Sequence, residues 1–249
     1  HLLFVAIRFN IKFAMLSSLK TTLNAALHLF YPRLCLVCES RLLDANEKFV
    51  CADCERDFDT FSLPNESTDE MLRRLHKNFP AQTVIQDAIS LYRFYKEGKI
   101  QAVIHAFKYD GLPQVAMEYG RRLGHKILTE RPHVHFDAVT FMPLHRLKYI
   151  ERGYNQAEQL AAGVADAMHL PVLSCVERTR YTSTQTGLDL SERAENMKGV
   201  FRATMALAHK RLLLIDDVFT TGATMLSCAR ALADAGAAHL TIATLAVTA

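Results

Sequence analysis

Apolar residues at Leu16, Leu19, Leu23, Leu27 and Phe30 recur at three- and four-residue steps, with Ser17, Lys20, Thr21 and Asn24 on the other side. That period predicts an amphipathic helix following Met15. Its polar face carries a single Lys, whereas helices that lie on membranes are usually basic there, so it reads as a docking helix. The apolar run Leu2–Ile7 is short and is followed by Arg8, Lys12 and Lys20, so no membrane span is expected. Residues 1–14 precede Met15, where the cleaner pattern begins; they are set apart as a candidate upstream segment and given no function.

Further along, Ala88–Tyr95 reads as a strand, and Ile100, Val103, Ile104 and Phe107 trace one face of a helix. The KYDG sequence at Lys108–Gly111 marks a turn before another helix through Ile127, and this region is expected to form a small cap. From Phe136 the pattern alternates. FDAVTFM (Phe136–Met142) reads as a strand, Asn155–Met168 as a helix, and PVLSCV (Pro171–Val176) as a strand. LLLI (Leu212–Ile215) then reads as a buried strand, Gly222–Ala235 as a helix, and LTIATLAV (Leu240–Val247) as the last strand. Continuously apolar strands alternating with helices predict an α/β fold whose parallel sheet is flanked by helices. In such sheets ligands bind at the carboxyl ends of the strands, which directs attention to the loops after Met142 and Ile215. SLPNESTDE (Ser62–Glu70) has the composition of a linker. The expected organisation is an N-terminal module over 15–61, a linker over 62–87 and the sheet domain over 88–249.

Composition adds mainly exclusions. With 249 residues, 50% hydrophobic and 22% charged, the chain is long enough for a sizeable core and is neither disordered, collagenous nor a coiled coil. Subtracting 26 acidic from 29 basic residues leaves +3, too little for a global field, so any anion site must be local.

Four of the six cysteines fall as Cys35-x2-Cys38 and, twelve residues later, Cys51-x2-Cys54. Two such pairs supply the corners of a thiolate tetrahedron suited to Zn2+. An iron–sulfur cluster and a pair of disulfides are the alternatives, and the latter needs an oxidising compartment that nothing in the sequence suggests. A closed four-thiolate site has no open coordination position, so its role is structural: metal binding would supply the folding free energy of a segment too short for a core. Cys175 and Cys228 stand apart and read as small buried apolar residues.

LLLIDDVFTTGATM (Leu212–Met225) carries the most chemistry. Asp216 and Asp217 follow the apolar strand, and TTGAT leads into an Ala-rich helix. A strand, loop and helix of this kind presents backbone N–H groups and the positive end of a dipole, which suits a phosphate monoester. Thr220, Thr221 and Thr224 add hydroxyls, and Gly222 lets the backbone come close. Two carboxylates beside a phosphate repel it unless they face sugar hydroxyls or a divalent cation, so the combination points to a phosphorylated ribose. Adjacent Asp residues that merely cap a turn are the plainer alternative. No Walker loop, GxSxG, HExxH or GxGxxG is present, and His133 and His135, lacking a third ligand, read as surface histidines.

The Leu212–Met225 segment resembles the phosphoribosyl-pyrophosphate (PRPP) motif of type I phosphoribosyltransferases, departing from it only at Phe219, where a small aliphatic is usual. With the cysteine cluster, the KYDG turn, PLHRLKYIERGYNQA (Pro143–Ala157) and the spaced Arg178, Thr182, Gln185, Arg193 and Asn196, the chain is similar to the ComF/GntX family from about Leu16 onward. The resemblance implies a type I phosphoribosyltransferase-like sheet with a small N-terminal four-cysteine zinc module. It implies that Asp216 and Asp217 contact the ribose hydroxyls, directly or through Mg2+. Thr220, Thr221, Gly222, Ala223 and Thr224 would hold the 5'-phosphate. It also implies that the loop Pro143–Arg152, with His145, Arg146, Lys148 and Arg152, helps bind pyrophosphate, a solvated basic loop being the alternative. Arg178–Asn196 fits the loop that closes over substrate.

Two functions follow from the resemblance. The first is a cytoplasmic PRPP-binding protein that supports natural competence or the use of external DNA, with single-stranded DNA and DNA-uptake proteins as partners. Arg33, Arg41 and Lys48 near the cysteines offer a modest basic patch, set beside Glu39, Asp44 and Glu47. The second is a salvage phosphoribosyltransferase acting on a nitrogenous base, and a PRPP-binding regulator without turnover lies between them. No residue can be assigned to an acceptor base.

Overall fold

The computed structural model describes residues 32–44, 46–180 and 199–249. The helix expected over Leu16–Phe30 lies outside these residues, as do Thr182, Gln185, Arg193 and Asn196. The chain divides into two compact units, His1–Arg56 and Asp57–Ala249.

The described part of the first unit is a knuckle. Leu34 and Arg41 form an antiparallel bridge, the Cys35 amide donates to the Ser40 carbonyl at 2.8 Å, and Glu39 takes a left-handed φ of 59° between them. The short helix α1 (Ala52–Arg56) follows, and the Ala52 amide donates to Glu47 Oε1 at 2.8 Å.

The second unit is built on a four-stranded parallel sheet. It comprises β1 (Asp87–Phe94), β2 (Ala138–Phe141), β5 (Arg211–Phe219) and β6 (His239–Thr248), in the spatial order β1-β6-β5-β2. A separate antiparallel pair is formed by β3 (Val176–Arg178) and β4 (Phe201–Ala203). Leu212, Leu213, Leu214 and Ile215 are all fully buried, which requires cover on both faces of the sheet.

Three expectations are corrected. The strand at Ala88–Tyr95 is not part of a cap: it is β1, an edge strand of the main sheet, in register with β6 from Asp87↔Thr241 to Phe94↔Thr248. Two hydrogen bonds inside the linker assignment, Ser67 Oγ accepting from the Ser90 amide and Thr68 Oγ1 donating to the Ala88 carbonyl, belong to a helix. That helix, α2 (Glu66–Asn78), lies where composition places the linker 62–87. Its polar residues mask an amphipathic period: Ser67, Thr68, Met71 and Leu75 are buried, Asp69, Arg73 and Lys77 are exposed, and Glu66, Glu70 and Arg74 lie half-buried between them. Finally, PVLSCV is not one strand. Val172 makes a single parallel bridge to Val139, and the chain then crosses into β3. Pro171 has no N–H to extend a ladder, which fits pairing this brief.

The remaining elements follow the hydrophobic periods closely. Helix α3 spans Ile100–Tyr109, α4 Pro113–Glu130, α6 Gln156–Met168 and α7 Ala223–Asp234, with the short α5 (Arg146–Arg152) between β2 and α6. Helices α4 and α6 approach to backbone contact. A Cβ on Gly163 would sit on the Met117 carbonyl oxygen and 2.8 Å from the Arg121 amide nitrogen; one on Gly120 would strike the Leu160 carbonyl, and one on Gly124 would lie 2.8 Å from Ala167 Cβ.

Because the atoms facing Gly163 are backbone and cannot rotate away, Gly163→Ala is expected to destabilise the fold by about 2–3 kcal/mol despite its better helix propensity. Urea unfolding checks this, and a midpoint equal to that of the wild type would contradict the close approach.

Candidate functional site

Strands β2 and β5 pair only from Ala138↔Leu212 to Phe141↔Ile215, and the Met142 amide donates to the Ile215 carbonyl at 2.9 Å. Beyond that bond β5 continues along β6 as far as Phe219↔Val247. The two loops expected to hold chemistry therefore meet, and Asp216 and Asp217 lie where β5 has lost one neighbour. The strand is longer than LLLI because its pairing with β6 does not depend on apolar side chains.

Asp216 and Asp217 are both half-buried, and the Asp217 amide donates to Asp216 Oδ1 at 2.8 Å. Burial, and then the neighbouring Asp217, push the Asp216 carboxyl up to about 7, against an opposing pull from Lys108 and Arg178. Lys108 Nζ lies 2.8 Å from Asp217 Oδ2, the two side chains being 18% and 16% exposed. Lys108 belongs to the KYDG segment, to which sequence reasoning gave no role beyond a turn. A signal was present: Ile100, Ile104 and Lys108 share a helix stripe, so a cation ends an otherwise apolar face. The same turn is held by a hydrogen bond from Tyr154 Oη to the Phe107 carbonyl and by the Arg152 guanidinium 5.3 Å from the Tyr109 ring centroid.

After Phe219 the chain turns through Thr220, Thr221 and Gly222 into α7. Thr220 is exposed, Thr221 and Thr224 are half-buried, and Ala223 is buried with its amide 3.4 Å from Thr221 Oγ1. Gly222 has φ 83°, and a Cβ there would collide with Leu75 Cδ2 and lie 3.0 Å from Phe219 Cζ. The aromatic residue that departs from the motif is thus a buried filler beneath the loop, and glycine at 222 leaves room for it.

The basic segment is not an open loop. His145 is the N-cap of α5, its Nδ1 accepting from the Leu147 amide at 3.2 Å. Lys148 pairs with Glu151 at 2.8 Å, Arg152 stacks on Tyr109, and Arg146 is exposed. Asn155 ties this segment to the sheet, donating from Nδ2 to the Met142 carbonyl at 2.9 Å and capping α6 by accepting from the Ala157 amide. Of the segment expected to close over substrate, Arg178 ends β3 with its guanidinium 5.7 Å from the Phe201 ring centroid, and the Thr179 amide donates to the Val200 carbonyl. Residues 181–198 lie outside the described residues.

In the first unit, the Sγ atoms of Cys35, Cys38, Cys51 and Cys54 all lie within 4.8 Å of one another, with Cys38 and Cys51 at 3.7 Å. Zinc–sulfur bonds of about 2.3 Å in a tetrahedron place the sulfurs about 3.8 Å apart, so the four residues fit a metal ion. All four are free thiols, not disulfides. Amides of Val37 and Cys51 donate to Cys35 Sγ at 3.4 Å, the pattern that orients a thiolate ligand. Hydrogen bonds from the Ser40 side chain and backbone hold the Cys38 thiol down at about 6, whereas burial pushes Cys54 up. Arg33 of the basic patch is engaged with the carbonyls of Glu47 and Asp44. Cys175 and Cys228 are fully buried, as expected. His135 is exposed and lies 3.7 Å from Asp137.

Residues 154–248 match the phosphoribosyl transferase domain family. Competence protein F of Haemophilus influenzae is 34% identical over 93 residues, covering 36% of this chain and 41% of that protein. DNA utilization protein YhgH of Escherichia coli K12 is 29% identical over 147 residues, covering 57% of this chain and 65% of that protein. Competence protein ComFC of Bacillus subtilis is 28% identical over 190 residues, covering 76% and 68%. The chain thus spans less than two thirds of the length of the first two. With the cysteine cluster and the acidic pair leading into a glycine turn both in place, the chain is similar to ComF-type competence and DNA utilization proteins and matches the phosphoribosyl transferase domain family over its C-terminal part.

Proposed function

We propose that this protein binds PRPP where β5 parts from β2, and that it serves the uptake or use of external DNA. The observation that carries the reading is the half-buried pair Asp216–Asp217 running directly into the Thr220–Thr224 turn and α7. In this reading the carboxylates accept from the ribose 2'- and 3'-hydroxyls, and the turn's amides and hydroxyls hold the 5'-phosphate at the helix start. Lys108 keeps two adjacent carboxylates from repelling the anionic ligand. In the same reading the segment His145–Arg152 meets pyrophosphate, Arg146 from its exposed position at the start of α5, with His145 at the helix cap, Lys148 beside Glu151 and Arg152 against Tyr109 as the other candidates. Mg2+ bound with the pyrophosphate would lessen the charge on that leaving group.

The DNA role is drawn from the relatives, whose names place them in competence and DNA utilisation. The four-cysteine knuckle is read as a structural zinc site, its closed ligand set leaving no position for a reacting water. Among the described residues no helix is long and apolar enough to cross a membrane, and a cytoplasmic location agrees with free thiols. A salvage enzyme would need a group that reads a nitrogenous base, and no described side chain stands out for that task.

Calorimetry with PRPP and Mg2+ is expected to saturate at about one ligand per chain, and the Asp216→Asn, Asp217→Asn double variant should weaken binding at least about tenfold. Equal affinities would remove the site. Asp216 is protonated below about pH 7, and a ligand that needs its carboxylate must expel that proton. Affinity should therefore climb as pH rises toward 7 and level off above it. The single variant Asp216→Asn should lose this part of the climb, and matching pH profiles would refute the assignment.

Metal analysis of protein purified without chelator is expected to find about one zinc per chain, lost in Cys35→Ser. Iron instead of zinc, or no metal, would overturn the zinc assignment. Fluorescent single-stranded DNA titrated over a salt series tests the nucleic-acid role: absence of salt-dependent binding counts against it, and pyrophosphate release with a free base would favour salvage.

A further inference from the structure

We propose that Arg74 and Asn78 of α2 are positioning residues for the phosphate-holding turn, fixing its peptide planes so that its amides face a ligand. Arg74 Nη1 donates to the Thr220 carbonyl at 3.2 Å, and Asn78 Nδ2 donates to the Thr221 carbonyl at 3.1 Å. In a trans peptide the carbonyl of one residue and the N–H of the next point in opposite directions. Drawing the Thr220 and Thr221 carbonyls toward α2 therefore turns the amides of Thr221 and Gly222 away from it. The inference rests on reading this turn as the phosphate cradle, and it explains how the cradle is set before a ligand arrives.

Three further contacts show that the arrangement is built rather than incidental. Arg74 Nη1 also donates to Thr248 Oγ1 at 2.9 Å, and Nη2 pairs with Glu70 at 3.1 Å, so the guanidinium is held from two sides. Thr248 Oγ1 in turn donates to the Phe219 carbonyl at 3.4 Å, joining the end of β6 to the residue before the turn. Between the two donors on the same helix, fully buried Leu75 fills the space where a side chain at 222 would stand.

Packing of α2 does not itself require these donors. Met71 and Leu75 are wholly buried and dock the helix, while Thr220 is exposed and its carbonyl is accessible to water as an alternative partner. What the two bonds supply is orientation. A turn whose planes are already set loses less freedom when an anion binds, and that gain appears as affinity.

The experiment compares two ligands. Ribose 5-phosphate engages the turn, whereas magnesium pyrophosphate does not present a 5'-phosphate. By calorimetry, Asn78→Ala and Arg74→Ala should each weaken ribose 5-phosphate about three- to tenfold and leave pyrophosphate within about twofold. Arg74→Lys, which keeps a cationic donor, should recover more than half of the loss. Asn78→Asp keeps the shape without the donor and should reproduce the loss of Asn78→Ala, which separates the missing donor from mere truncation. Unchanged ribose 5-phosphate affinity in these variants, or an equal loss for both ligands, overturns the positioning role. Wild-type protein that binds neither ligand overturns the PRPP reading, and this inference with it.

Discussion

Pairing between β2 and β5 stops at Ile215, and much of the second unit depends on that limit. Had β2 run on, its backbone and a covering helix would have sealed the segment after Ile215, and two adjacent carboxylates there would have carried the full cost of burial. Instead β5 keeps β6 on one side and opens on the other. Asp216 sits at the edge of that opening, where burial lifts its carboxyl toward neutrality without closing it off. Lys108 offsets the charge of Asp217 from a helix that precedes β2 in sequence. The acidic pair is thus a consequence of where one strand ends, and of a cation brought in from elsewhere in the chain.

Bringing that cation in depends on packing far from the charges. Lys108 is fixed by the C-terminal turn of α3, which Tyr154 holds through the Phe107 carbonyl, and the next residue, Asn155, grips the Met142 carbonyl. Both residues stand at the head of α6. The position of α6 is set in turn by its backbone contact with α4 at Gly120, Gly124 and Gly163. A side chain inserted at that seam would push apart two helices whose ends organise the strand opening, so the small residues at the seam and the charged residues at the site are mechanically connected.

Much of this was legible in the sequence because the relevant signals are local. The strand LLLI, its acidic pair and TTGAT are contiguous, and a CxxC pair announces itself by spacing alone. Long-range facts were harder to read. The edge position of β1 rests on register with β6, which lies far along the chain, Asp87 pairing with Thr241. Helix α2 was hidden because Ser67 and Thr68 supply buried hydroxyls, bonded to Ser90 and Ala88, at positions where the helical period calls for apolar residues. PVLSCV has the composition of a strand, but Pro171 curtails its pairing. The basic segment after Met142 reads in sequence as a loop, and its folding into a short helix, with His145 capping it and Lys148 beside Glu151, depends on contacts that composition does not reveal.

That last point bears on how an anion would be held. With a net charge of +3, and with Lys108 and Lys148 each paired to a carboxylate, a bound anion would not be held by net positive charge alone. In the proposed reading, attraction in the turn before α7 would come chiefly from oriented backbone dipoles and hydroxyls. Such groups act at short range and lose their effect if the peptide planes swing. A recognition scheme built on dipoles would need rigid support, and the bonds from Arg74 and Asn78 of the helix that composition had marked as a linker would provide it. Such a scheme would be less sensitive to salt than one built on exposed lysines, because fixed dipoles in a half-buried turn are screened less than surface charges.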